Sequence, residues 1–186
     1  RIVKLTPRSR QTLFFSATIP SEIEYLAQWS LTDPFTIDVG QRRSPAEMVN
    51  HCLYPVARQQ KMELLLRLLD DLDYQSVLIF TERKLDAEVV ARKLEVKDHN
   101  VVTLHSDRSQ RERKLALDGF KKGEFDILIA TDVAGRGLDI SGISHVVNYD
   151  VPRNAENYVH RIGRTGRANT EGDAITLFAA DEMDPV

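Results

Sequence analysis

From about residue 50 onward, short apolar runs alternate with stretches of helical periodicity, and that alternation leaves few folds open. Val77-Leu78-Ile79-Phe80, Val101-Val102-Thr103-Leu104, Ile127-Leu128-Ile129-Ala130 and Val146-Val147 are each four residues or fewer of near-continuous hydrophobicity. Runs of this kind suit strands buried on both faces, as in a parallel sheet covered by helices. Between them, Met62, Leu65, Leu69 and Leu72 fall at helical spacing, Leu85, Val89, Val90 and Leu94 make a second stripe, and Leu115, Ala116 and Phe120 end a third. Ser109 with Glu112 three residues on predicts a capping box at the start of that third helix, and Gly119 and Gly123 mark its frayed end. The expected fold class is α/β: an open, mainly parallel sheet with helices on both faces and ligands outside the carboxyl ends of the strands.

The first 40 residues follow another pattern. Thr12-Leu13-Phe14-Phe15 and Phe35-Thr36-Ile37 read as short strands around a helix from Pro20 to Trp29, a βαβ piece too small to bury a core alone. The expected organisation is therefore residues 1–39 as the tail of a preceding domain, 40–48 as a polar linker, and 49–186 as a second domain. Leu13, Phe14, Phe15, Ile23, Tyr25, Leu26 and Trp29 would then lack their usual sheet, leaving a sticky patch that packs elsewhere or promotes self-association.

Composition excludes several classes. The chain has 186 residues, 42% apolar and 28% charged, with a net charge of -3, so any nucleic-acid site must be a local basic face. Its one cysteine, Cys52, rules out a disulfide framework and fits a reducing compartment, and neither a signal peptide nor an apolar membrane span is apparent. The cytoplasm is the expected location, with no membrane partner. The five histidines are scattered without metal-ligand spacing, and neither a Walker A loop nor a G-x-S-x-G elbow occurs.

The polar clusters fall where the strands end. After Ile127 to Ala130 comes Thr131-Asp132-Val133-Ala134-Gly135-Arg136-Gly137-Leu138-Asp139, in which glycines let the backbone approach a ligand and Asp139 can accept from a sugar hydroxyl. After Val101 to Leu104 comes His105-Ser106-Asp107-Arg108-Ser109-Gln110-Arg111-Glu112-Arg113, running into a helix N-terminus that favours an anion. The plain alternative there is a capped, salt-bridged surface helix. Thr81-Glu82-Arg83-Lys84 repeats the arrangement more weakly. In Tyr158-Val159-His160-Arg161-Ile162-Gly163-Arg164-Thr165-Gly166-Arg167, three arginines recur every three residues as a helix gives way to a Gly-containing loop. Such guanidiniums suit bidentate binding of phosphate oxygens; the plain alternative is a solvated basic loop. The whole is a phosphate-facing surface without its own nucleotide cradle.

Ser16-Ala17-Thr18, Leu78-Ile79-Phe80, Gln110-x-x-Arg113, Ala130 to Asp139 and His160 to Arg167, taken in order, resemble the motifs of the DEAD-box RNA helicases. The resemblance covers nearly the whole chain and implies that residues 49–186 are a C-terminal RecA-like domain and residues 1–39 the end of an N-terminal RecA-like, ATP-binding one. Two positions depart from the family pattern: Ser106 stands where Gly is usual, and Gly135 where Ala is usual, both small-for-small changes on loops.

The resemblance implies an ATP-dependent RNA helicase in which this chain supplies the arginine fingers and half of the RNA cleft. Arg164 and Arg167 match the fingers that reach the γ-phosphate, and Asp139 matches the residue on the ribose, with Gly137 beside it. Thr131, Gly135, Gln110 and Arg113 match positions that hold RNA, with Arg83 and Lys84 plausible additions. His160 matches a position that couples the two domains through Ser16 and Thr18. ATP is the implied cofactor, with Mg2+ held by the other RecA-like domain of the same protein, and the fragment alone is expected to be inactive. A non-catalytic RNA-binding scaffold and a DNA helicase domain are the rival readings. The retained fingers argue against the first, and Arg164-Thr165-Gly166-Arg167 against the second.

Overall fold

Among the described residues, six strands, all parallel, form one sheet in the larger part of the chain. The computed structural model describes residues 2–7, 9–16, 21–37, 49–135, 140, 142–166 and 171–180. The chain divides into two units, Arg1–Arg42 and Arg43–Val186.

In the smaller unit the described elements are a short 3-10 helix, Ile2–Leu5, and α1, Ser21–Ser30. Thr12 to Phe15 and Phe35 to Ile37, expected as strands, form no ladder. A strand needs a neighbour to take its N–H and C=O groups, and the described residues of this unit offer none. Phe15 and Phe35 are 87% and 88% exposed, and Leu13, Tyr25 and Trp29 are exposed as well.

The larger unit runs β1 (Val49–Pro55), α2 (Lys61–Asp71), β2 (Val77–Thr81), α3 (Lys84–Glu95), β3 (Val101–Leu104), α4 (Gln110–Lys122), β4 (Ile127–Thr131), α5 (Asp132–Gly135), β5 (His145–Asn148), α6 (Ala155–Ile162) and β6 (Gly172–Phe178). The strand order is β1-β6-β5-β2-β4-β3. Successive side chains of a strand point to opposite faces, so each apolar run feeds two cores. Val77, Ile79, Ile127, Ile129, Val147 and Leu177 pack under α2 and α3, against Met62, Leu65, Leu69, Ala87, Val90 and Leu94. Leu78, Phe80, Leu128, Ala130 and Val146 pack on the other face with Ala116 and Phe120 of α4. Ala174, in register with Val146, continues that second face to Ile162 of α6.

Two of the expected helical stripes are shifted. On α3 the buried residues are Ala87, Val90, Ala91 and Leu94, whereas Leu85 and Val89 are exposed. Val90 and Leu94 are buried as expected, and Ala87 and Ala91 complete the inner face in place of Leu85 and Val89. On α4 Leu115 faces solvent, and Gly119 is no frayed end: a Cβ there would come 2.7 Å from the Phe125 ring. Gly123 does end the helix, at φ 75°, and the Ser109–Glu112 capping box is present.

The chain passes from β4 across β2 to β5, so the carboxyl ends of β2, β4 and β5 meet where the strand order reverses. Open α/β sheets bind ligands outside that point.

Candidate functional site

A buried arginine organises the rim of the sheet. Asn154 caps α6 by accepting from the Asn157 amide at 2.8 Å, and the helix carries Arg161 inward, its side chain 2% exposed. Its Nε and Nη2 donate to Asp132 Oδ1 at 2.6 Å and Oδ2 at 2.8 Å, a bidentate fork. Nη1 donates to Asn148 Oδ1 at 3.1 Å and to the Asp150 carbonyl at 2.7 Å, and the guanidinium lies 5.1 Å from the Phe80 ring centre. Asn148 in turn donates to Thr176 Oγ1 at 3.0 Å. One side chain thus ties α6 to the ends of β2, β4 and β5. Burying a charge is costly unless it is paired and hydrogen-bonded, and this one is both.

One turn further on, Arg164 joins Phe80, Asp132, Gly135, Asn157, His160 and Arg161 around a cleft of about 10 Å³. His160 is half-buried, and its Nδ1 is a buried atom with no hydrogen-bond partner among the described residues. Behind Arg164, Thr165 is fully buried and donates to the carbonyl of Ile143 and, at 3.2 Å, to that of Ser144. Gly166 follows at φ 63°, and Gly172 lies so close that a Cβ on it would overlap Thr165 Oγ1 and the Gly166 amide nitrogen. The loop after α6 is therefore seated on the start of β6 by a glycine.

Thr131 ends β4, 8% exposed, and α5 follows it directly. Gly135 closes that turn against Phe80, whose Cε1 would lie 2.7 Å from a Cβ at this position. An alanine here, the residue usual in the family pattern, would press on that ring and require it to shift. Arg113 of α4 donates to the Ala134 carbonyl at 3.4 Å, bringing it beside Thr131 and Gly135, and Gln110 stands exposed at the first turn of α4. Arg83 and Lys84 already have partners: Arg83 pairs with Asp86 at 2.7 Å and Lys84 with Asp107 at 2.7 Å. The hydrogen bond from Lys84 holds the Asp107 carboxyl below its ordinary range.

Arg167, Asp139, Gly137 and Thr18 lie outside the described residues. Ser16 is described and exposed, in the smaller unit. The sequence reading gave no role to Phe80, Asp132, Asn148 or Asp150, and it took Arg161 with the other arginines of its run as an outward phosphate binder, whereas Arg161 is buried on Asp132. It also passed over Lys61, 1% exposed, whose Nζ donates to the Tyr149 carbonyl at 2.9 Å and lies 3.6 Å from Asp150. The signal available was chemical: a lysine at an inward helical position needs a carboxylate or carbonyl at the sheet edge. Among the described residues no cluster of His, Cys, Asp or Glu could hold a metal ion, and no helix is long and apolar enough to cross a membrane.

The parallel sheet, its rim of arginines and the Gly-pinned loop define a class, and the family model agrees: the chain belongs to the helicase conserved C-terminal domain family, matched over residues 60–169. Within it, its relatives are DEAD-box RNA helicases. It is 39% identical, over 98% of its length, to the ATP-dependent RNA helicase CshA of Limosilactobacillus reuteri, covering 37% of that protein. It is 42% identical, over 93% of its length, to the probable ATP-dependent RNA helicase DDX23 of Homo sapiens, covering 21% of it. Among solved structures, Saccharomyces cerevisiae Dbp5 bound to RNA and ADP BeF3 superposes with a TM-score of 0.81 at 30% identity, over 96% of this chain and 47% of that one. The separate C-terminal domain of Dbp5 gives 0.68 at 34% identity, over 74% and 80% of the two chains. The chain thus spans about a third of the length of the bacterial relatives it matches, 37% and 35%.

Proposed function

We propose that this chain is the C-terminal part of a two-domain, ATP-dependent RNA helicase, supplying the arginine fingers and one half of the RNA cleft. The observation that carries the reading is the anchoring of α6 by Arg161, which sets His160 and Arg164 at the strand-order reversal beside Thr131 and Gly135. Residues 1–39 are the end of the partner RecA-like domain, whose body holds ATP and its Mg2+. Arg164 and Arg167 reach the γ-phosphate across the cleft, and Asp139 and Gly137 hold the ribose side. His160 couples the domains through Ser16 and Thr18. RNA phosphates and sugars are held by Thr131, Gly135, Gln110 and Arg113. Arg83 and Lys84 take part only by leaving Asp86 and Asp107. Contacts of this kind fix a strand without reading its sequence.

ATP favours the closed cleft only through interactions that form on closure, and those of the fingers are of that kind. Loss of the γ-phosphate releases them and RNA leaves.

The test is RNA-stimulated ATP hydrolysis by the full-length protein, with this fragment run beside it. Activity is expected in the whole and none in the fragment. Arg164→Ala or Arg167→Ala in the whole protein is expected to lower kcat by about 10³ or more while the melting temperature holds. Normal turnover in both variants would remove the finger assignment. Bound RNA without hydrolysis in the wild type would favour a scaffold.

A further inference from the structure

On the other side of the RNA-facing loop, a carboxylate outside every motif named above takes three hydrogen bonds through one oxygen. Glu88 of α3 accepts through Oε1 from His105 Nε2 at 2.6 Å, Arg108 Nη2 at 2.6 Å and Thr103 Oγ1 at 3.0 Å. Arg108 also donates to Thr103 Oγ1 from Nη2 at 2.8 Å and lies 4.0 Å from Glu112. The Asp107 amide donates to His105 Nδ1 at 3.4 Å, so the ring carries its proton on Nε2, toward Glu88. The bond from His105, with that from Thr103 and the charge of Arg108, holds the Glu88 carboxyl below its ordinary range against the upward push of its partial burial. Lys84, one turn before Glu88 on the same helix, grips Asp107 at 2.7 Å.

We propose that Glu88 is a positioning residue for RNA binding: through His105 and Arg108 it fixes the β3–α4 loop, and hence the first turn of α4 with Gln110 and Arg113. The inference rests on the RNA-facing role proposed for those two residues. The loop leaves β3 at Leu104 and enters α4 at Ser109, whose cap already ties it to Glu112. The capping box orders the helix start from within. Glu88 and Lys84 fix that start relative to the sheet, from a neighbouring helix. The carboxylate does not itself suit RNA, because its charge repels phosphate. Its two roles therefore carry opposite signs. As a mere surface charge, its removal tightens RNA binding; as a positioning residue, its removal weakens it.

The sign decides the matter in the full-length protein, with a uridine oligonucleotide as the RNA. Glu88→Ala is expected to raise the half-saturating RNA concentration about tenfold, the scale of a lost charge-assisted hydrogen-bond cluster. The ATP KM, and kcat at saturating RNA, stay within about twofold of wild type, as expected for a loss confined to binding. Glu88→Gln removes the charge but keeps an acceptor, and is expected to restore most of the affinity. RNA binding by Glu88→Ala as tight as wild type or tighter would overturn the proposal. So would a parallel fall of kcat and melting temperature that Glu88→Gln fails to restore. Arg113→Ala separates the two levels. If it too leaves RNA affinity untouched, the RNA-facing reading of α4 falls and this proposal with it. If it weakens binding while Glu88→Ala does not, only the positioning role falls.

Discussion

Arg161 and Arg164 look alike in the sequence and are opposites in the structure. Both belong to the run of arginines spaced by three, yet Arg161 is 2% exposed, with its guanidinium held by Asp132, Asn148 and Asp150, and Arg164 borders the open rim. Nothing local in the sequence separates them, because the partner that buries Arg161 is 29 residues away, just past the end of β4. The expected consequence of Asp132→Ala is a loss of about 3–5 kcal/mol of stability, the cost of leaving a buried charge without its counter-ion. Urea unfolding of the variant measures it. A loss under about 1 kcal/mol, the scale of an exposed pair, would mean that Asn148 and the Asp150 carbonyl suffice to hold the guanidinium. Gly135 teaches a similar lesson. Its departure from the family pattern was legible, but its neighbour, the Phe80 ring 2.7 Å from where a Cβ would stand, was not.

Elements were legible in proportion to how symmetrically they are buried. β2 and β4, with every residue buried, stood out as apolar runs. β1 is an edge strand with only Val49 fully buried, and β6 begins on Gly172 and Asp173, so neither announced itself. Helix existence followed from periodicity, but the inward face of α3 followed only in part: Val90 and Leu94 are buried as expected, with Ala87 and Ala91 in place of Leu85 and Val89. The capping box of α4 was readable because a cap is a local bond between residues three apart. Gly172 shows why strand starts matter as much as strand ends here. Gly172→Ala forces its Cβ into Thr165 and Gly166 and is expected to cost about 1–3 kcal/mol, as over-packing does. Because the loop that moves carries Arg164, ATP turnover in the full-length protein is expected to fall further than stability alone accounts for. A variant with wild-type melting temperature and turnover would show that the loop has room to retreat.

At the scale of the larger unit, the sheet depends on both ends of its own sequence. β1 pairs β6 along its whole length, from Val49 with Gly172 to Pro55 with Phe178. Removing residues 171–186 deletes the buried side chains of Ala174, Ile175 and Leu177 and leaves β1 without a ladder. Each large buried side chain is worth about 2–5 kcal/mol against a total stability of about 5–15 kcal/mol, so the truncated chain is expected to lose cooperative unfolding. A single sharp urea transition in that truncation would show that the remaining strands form a sufficient core. The same pairing sets a schedule during synthesis. Asn50 and its partner Asp173 are 123 residues apart. At about 5–20 residues per second, the ribosome needs roughly 6–25 s to travel between them. The strand made first is therefore among the last to be paired, and it spends that interval with its backbone open to any other strand nearby. Asn50, His51 and Pro55, the last without a backbone N–H to donate, are what β1 offers against such pairing.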